Sequence, residues 1–506
     1  MMLKMFGGGG GGSDHPMADP KEAKRLLDEL PAQDAKALEE LAGWHESVAG
    51  ADLKAEVRIQ RLLAIDEAAQ ARVRKLAREV LSPGPQVSRF QDNLNWTRLH
   101  EYWRQTGRGF ARAIDSFLQG AKGAEAAKAL LPLTVSRALR CFAQQIKWQH
   151  VRYAPADIAV WGVLNRIYAF AELRGITDAR VNLYVAGGVE STPRQEFLKA
   201  SMLGASSPDS LQPLEVELAE RVINDLAPSF VLAAQPDREL LYWTDLALAT
   251  APLRSLREPK PATSLRFFGP GAAAAALAAL IRKIETSREV PASINLGGNY
   301  DVEAVLSSMG HLAVYWDREP PERRHPRHSV KSRLVVAHGF KGVIEALGGD
   351  GGSLDFNPAA AESWAVDNVS AGGFGAVAKQ AKADWLKVGT LVAMQPDGGP
   401  NWVVGAVRRV TRVSKDEARI GIETLSRTPA LSRFAGAGSG EEPGVLLAAA
   451  PDTGEASIAL RAGVFTRGRN LEAAVDGQQH VYMPQEVNER GDDYEIAIFR
   501  KMIRDS

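Results

Sequence analysis

The sequence predicts a multidomain α+β chain: an N-terminal α-helical bundle or irregular solenoid, then a small closed antiparallel β-barrel, then a small C-terminal β unit. Three observations carry this prediction. The chain has 506 residues, more than one hydrophobic core normally spans, since single domains stop growing at about 250–300 residues. Apolar residues recur at helical spacing from about Asp19 to Gly310. Past Pro320 the texture changes to short runs rich in Val and Ile, separated by Gly, Asp, Asn and Lys.

Residues 1–19 contain a glycine tract and read as a flexible tail, with no apolar run of signal-peptide length. Residues 20–310 form the expected helical domain. "PLEVELAERVINDLAP" sets Leu214, Leu218, Val222 and Leu226 on one stripe between prolines. "ADIAVWGVLNRIYAFAELRG" does the same with Ile158, Trp161, Leu164, Tyr168 and Ala171, and Gly175 stands where a helix would end. "KEAKRLLDEL", "KAEVRIQRLLAIDEAAQARVRKLAREVL" and "RELLYWTDLALATAPL" read as further helices, with no fixed repeat period. Trp96, Tyr102 and Trp103 are expected in the helical core rather than in a partner groove.

In residues 318–428, "SRLVVAHGFKGVIEAL", "ESWAVDNVSAGGFGAVA", "GTLVAMQ", "NWVVGAVRRVTRV" and "ARIGIETLS" read as antiparallel strands. Closure into a barrel removes the edges that a short open sheet would expose. Residues 429–443 read as a linker and residues 444–506 as the C-terminal β unit, with strands at "EASIALRAGVFT", "QQHVYMP" and "DYEIAIFR" and a hairpin turn at "NERGDD".

Composition excludes several functions. Lys+Arg and Asp+Glu both number 61, so no global field draws the chain to nucleic acid or acidic lipid, and any anion site is local. A single cysteine, Cys141, rules out internal disulfides and multi-cysteine zinc sites, and its apolar-periodic setting reads as a buried inert thiol. The most apolar stretch, "GPGAAAAALAALIRKIE", meets Arg282 before it is long enough to cross a bilayer. A soluble, cytoplasmic protein is expected. There is no phosphate-binding loop, HExxH or nucleophile elbow, so neither an enzyme nor a metal or other cofactor is expected.

The local anion site is expected at two places. Between Arg318 and Arg333, six cations (Arg318, Arg323, Arg324, Arg327, Lys331, Arg333) stand against Glu319 and Glu322. Pro320, Pro321 and Pro326 hold this arm extended. Guanidinium groups fork onto phosphate oxygens, pair with the O6 and N7 edge of guanine and stack on bases. Further on, in "DNVSAGGFG", Asn368 and Ser370 offer hydrogen bonds at a strand end, and Gly372 and Gly373 allow close backbone approach. By itself that turn also suits an ordinary hairpin. His325 and His328 are expected on the surface, and Arg408 and Arg409 alternate on one strand, one toward a ligand and one toward solvent.

Together, Arg-x-x-x-Arg at Arg323 and Arg327 followed by Asn-x-Ser-x-x-Gly at Asn368, Ser370 and Gly373 resembles the PilZ domain family over about Pro321 to Arg427. The resemblance implies a six-stranded β-barrel that binds cyclic di-GMP. It assigns Arg323 and Arg327 to the phosphates and guanines, assisted by Arg324, with Asn368, Ser370 and Gly373 on the opposite side. The loop "EALGGDGGSLDFNPAAAES" is longer than such a barrel needs. The expected protein is a bacterial cyclic di-GMP effector or adaptor in which binding resets the arrangement or partner binding of the helical domain. A protein partner is expected through that domain, with no nucleic acid and no membrane insertion. The alternatives are a nucleotide-independent helical scaffold and a nucleic-acid binder.

Overall fold

The computed structural model describes residues 15–31, 36–84, 86–186, 188, 190–257, 259–294, 296–320, 325–348, 362–379, 385–399, 401–414, 416–436, 440–450, 454–475 and 478–503. The chain divides into two compact units, the second comprising Glu322–Ser506 together with the short segments Tyr153–Pro155 and Asp209–Gln212.

The first unit carries helices α1 (Pro20–Glu29), α2 (Lys36–Gly50), α3 (Ala55–Leu81), α4 (Arg89–Leu118), α5 (Ala124–Ala127), α6 (Leu131–His150), α7 (Ile158–Leu173), α8 (Pro193–Ala205), α9 (Pro213–Leu226), α10 (Ala272–Ser287) and α11 (Val302–Trp316). Side chains of Asp19, Ser88, Asp157, Thr192 and Asp301 accept the otherwise unpaired N–H groups at five helix starts. Gly175, at φ +66°, follows the end of α7 in the left-handed conformation that suits glycine there. Tyr102 and Trp103 are buried in the core, as is Cys141, whose thiol is pushed up in pKa by burial. Trp96 is half-buried and donates its indole N–H to the Trp148 carbonyl at 2.8 Å.

Helix α6 also buries charge. Arg137 pairs with Asp66 at 3.2 Å and Glu67 at 2.5 Å, and Lys147 pairs with Glu217 at 2.5 Å. Leaving any of these unpaired would be costly, so the network fixes which helices can be neighbours.

"RELLYWTDLALATAPL" is not a helix. It supplies β4 of a small antiparallel sheet with strands β3 (Val231–Ala233), β4 (Tyr242–Asp245), β5 (Leu253–Arg254) and β6 (Leu265–Gly269), in the order β3-β6-β4-β5. A two-residue pair, β1 (Val181–Asn182) with β2 (Glu190–Ser191), precedes it. In β4 the burial alternates with period two, and aromatic Tyr242 and Trp243 suit that half-buried surface better than their helical spacing suggests. Arg254 donates to the carbonyls of Tyr315 (3.0 Å), Asp317 and Arg318 (3.1 Å). The sheet thereby holds the end of α11 where the arginine arm begins.

The second unit opens with β7 (His328–His338), α12 (Gly339–Gly348), β8 (Glu362–Ser370), β9 (Gly373–Lys379), β10 (Leu391–Pro396), β11 (Val403–Arg412) and β12 (Glu417–Ser426). The six strands form a closed antiparallel barrel in the order β10-β11-β12-β9-β8-β7. Leu334, Val336, Trp364, Val366, Val392, Met394, Val407 and Ile420 fill its core. "GFKGVIEAL", expected as strand, is helix α12. Phe340, Val343 and Ala346 bury one face at helical spacing, and the Asp493 carboxylate accepts the Phe340 N–H at 2.7 Å, capping the start. The long loop after it, 349–361, lies outside the described residues.

The C-terminal sheet begins inside the segment expected as a linker. Its strands are β13 (Ala430–Phe434), β14 (Glu442–Ala450), β15 (Glu455–Arg461), β16 (Leu471–Val475), β17 (Gln478–Arg490) and β18 (Tyr494–Ile503), in the order β13-β14-β15-β18-β17-β16. The expected hairpin turn joins β17 to β18. Phe340, Val343, Leu391 and Val404 of the barrel side share one apolar cluster with Val445, Leu447, Tyr494 and Ile496. Arg408 reinforces that seam, donating to Glu489 at 2.7 and 2.6 Å and to Glu423 at 2.7 Å. Burial works against its charge, and the two carboxylates overcome this and hold the guanidinium above its ordinary pKa. Among the described residues, no helix is long and apolar enough to cross a membrane.

Candidate ligand-binding site

Strands β8 and β9 are joined by Ala371 and Gly372, with Ser370 paired to Gly373 across the turn. The ladder slips by one residue between Val366 and Asn368, a bulge that re-aims the side chains beyond it. Asn368 then lies over Gly375, where a methyl group would come within 2.5 Å of Nδ2 and 2.7 Å of Oδ1. Only glycine leaves room for the amide in this position. At Gly373 a methyl group would stand 2.0 Å from the Ile422 carbonyl oxygen, so this strand start accepts no side chain. Asn368 Oδ1 is buried and has no hydrogen-bond partner among the described residues, which makes it an acceptor whose desolvation is uncompensated. The Ser370 hydroxyl donates to the Gly373 carbonyl at 3.4 Å and closes the turn locally.

The arm reaches this turn. His328 pairs with Val369 and Ser329 with Asn368, so the start of β7 runs beside the end of β8. His325 lies over the turn itself, its ring 3.1 Å from where a methyl on Gly372 would sit. Both histidines are exposed, as expected. Arg327 directly precedes β7 and is exposed. Arg323 and Arg324 lie outside the described residues.

Two residues at this turn escaped the sequence reading. Gly375 had a signal, because Gly373 and Gly375 alternate along one face of β9. Arg427, exposed just past β12, donates to the carbonyls of Ser370 (3.3 Å) and Ala371 (2.8 Å). Its sequence context is an ordinary strand end, and only the barrel's strand order brings it to the turn. Arg408, weighed as facing a ligand or solvent, instead pairs with Glu423 and Glu489. Among the described residues no group of three or more His, Cys, Asp or Glu is placed to hold a metal ion.

The arrangement sets His325 and the exposed Arg327 at the start of a strand beside a polar turn with a buried, unpaired acceptor. Two family models match the chain. Residues 21–237 match the N-terminal domain of the cyclic-di-GMP receptor FimW, and residues 358–430 match the middle PilZ domain of that receptor. The second match covers Asn368, Ser370 and Gly373, while the arm falls between the two matched segments. No curated protein matches the chain.

Proposed function

Because this chain belongs to the cyclic-di-GMP receptor family that joins a FimW-type N-terminal domain to a PilZ domain, we propose that it binds cyclic di-GMP between its arginine arm and the Asn368–Gly373 turn. Binding there resets the arrangement, or the partner binding, of the helical unit. Arg323 and Arg327 take the phosphates and the guanine O6/N7 edges, with Arg324 assisting. Asn368 accepts from a guanine N–H, which supplies its unsatisfied Oδ1 with a partner; Ser370 and Gly373 shape the surface on which the base lies.

The observation that carries this reading is the placement of His325 over Gly372, its ring 3.1 Å from where a methyl on Gly372 would sit. Cation-bearing arm and polar turn are separate in sequence, and a ligand with two phosphates and two guanines needs both at once. The arm is also the covalent path from α11 to β7. Arg254 fixes its start at Asp317 and Arg318, and pairing with β8 fixes its end. A ligand that grips the intervening arginines favours some arm conformations over others, and its differential affinity for them is the free energy available to the switch. The chain acts in this reading as a cytoplasmic bacterial effector without catalytic chemistry.

Small-angle scattering of the full chain tests the coupling, with and without saturating cyclic di-GMP and with a linear guanine dinucleotide as control. A change in the scattering profile with the cyclic ligand alone supports it. Profiles that coincide although the ligand binds contradict it and favour a scaffold whose helical unit acts independently of nucleotide.

A further inference from the structure

The C-terminal sheet, whose strands run from Ala430 to Ile503, repeats the barrel before it. Counting the strands of each as one to six, the barrel pairs one with two, two with three, three with six, six with five, five with four and four with one. The C-terminal sheet pairs its own six in the same way. Its two edges, the first and fourth strands, meet through the Ala435–Glu472 bridge.

The irregularities repeat as well. The second strand slips against the third between Val366 and Asn368 in the barrel, and between Leu446 and Ala448 in the sheet. The pairing of strands five and six is interrupted twice in each. The connection from strand three to strand four sends Leu386 and Val388 into the barrel core, and Val464 with Phe465 into the core of the C-terminal sheet. A bulge is a local feature that ring order does not dictate, so its recurrence at the same step of strand two is independent support for the repeat.

The repeated slip aligns the two sheets residue by residue at the ligand turn. The position of Asn368 is taken by Ala448 and that of Ser370 by Ala450. Opposite them, Gly375, which makes room for the asparagine, is replaced by Ser457, and Gly373 by Glu455. Alanine offers no hydrogen bond, and neither replacement leaves the bare backbone that the barrel presents. The lead-in to the first strand differs in what it touches. In the barrel its described part is His325–Arg327, with His325 over the barrel's own turn. In the sheet it is the connector between Ser426 and Ala430, and its Arg427 donates to the carbonyls of Ser370 and Ala371 in the preceding barrel.

We propose that the C-terminal sheet is a second, ligand-blind copy of the nucleotide-binding barrel whose lead-in arginine, Arg427, positions the ligand turn of the first. This rests on the nucleotide site proposed above. Arg427 is a positioning residue: its Nη2 holds the carbonyls of Ser370 and Ala371, and with them the direction in which Ser370 and the bare strand start are presented. The chain then has one site region, served by both barrels.

Calorimetric titration of the full chain with cyclic di-GMP tests this, using Asn368→Ala/Ser370→Ala, Arg427→Ala and Arg427→Lys, with thermal melting of each. The double variant is expected to lose all binding, since the second copy offers none. Arg427→Ala is expected to weaken affinity about fivefold at an unchanged melting temperature, as befits the loss of a hydrogen-bonded anchor, and Arg427→Lys to recover part of it. Residual binding of second-site capacity in the double variant, or wild-type affinity in Arg427→Ala, overturns the inference while the site reading stands. If the double variant binds like wild type, the site reading itself fails.

Discussion

Asn368 lies directly over Gly375, its amide occupying the space where any larger residue would put Cβ, 2.5 Å from Nδ2. Position 375 therefore determines where position 368 can point. Gly375→Ala is expected to push the amide away and weaken cyclic di-GMP binding about tenfold, the scale of one well-made polar contact. The same variant should lose little stability, because the displaced group is the end of a side chain rather than backbone. Titration and thermal melting together check this; a large loss of stability without loss of affinity would contradict the positional role.

The seam between barrel and C-terminal sheet is held by shared apolar side chains and by Arg408 forked onto Glu489. Arg408 is partly exposed, which limits the pair to about 1 kcal/mol after screening. Arg408→Met is expected to lower stability by that amount. Leu391→Ala, which removes a fully buried side chain from the same cluster, is expected to cost about 2–5 kcal/mol. Denaturant titration of both variants ranks the two contributions, and a loss in Arg408→Met as large as that in Leu391→Ala would contradict the expected order.

His45 is fully buried, and burial first, then the Arg137 charge, lowers its imidazole to about 3 from an ordinary 6.5. The folded chain keeps it neutral while the unfolded chain takes up a proton below about 6.5. Stability from this group is therefore complete above 6.5 and falls as the pH drops toward 3, by at most about 1.4 kcal/mol per pH unit. His45→Leu is expected to flatten the pH dependence of stability between 6.5 and 5, read from denaturant midpoints at each pH. An unchanged slope would contradict this assignment. Burial lowers His100 and His338 in the same direction, so some slope remains in the variant.

What the sequence made legible follows from how each feature is encoded. The β8–β9 turn is legible through residue type, since Asn, Ser and paired glycines are chemical choices visible in one dimension. Helices α7 and α9 are legible because their apolar stripes and terminal Gly or Pro agree. "GFKGVIEAL" misleads because Val and Ile suit strands, while its helical character depends on a cap from Asp493, distant in sequence. Tyr242 and Trp243 mislead the other way, their strand role being set by the neighbours β5 and β6. Strand β13 hides in the expected linker because five residues beside a glycine-rich run carry too little pattern. Arg427 and the repeat of the barrel are products of ladder order, which leaves no trace in local composition.

The proposed function requires the Arg323–Arg327 arm and the Asn368–Gly373 turn to act as one cyclic di-GMP site. Isothermal calorimetry of the full chain, beside Arg327→Ala and Asn368→Ala, tests it most directly. Micromolar or tighter binding of cyclic di-GMP by the wild type is expected, with no comparable binding of a linear guanine dinucleotide and a loss of at least about tenfold in affinity in each variant. Wild-type affinity in both variants, or no heat with any of the three proteins, would contradict it and leave the arm a charged connector between two units.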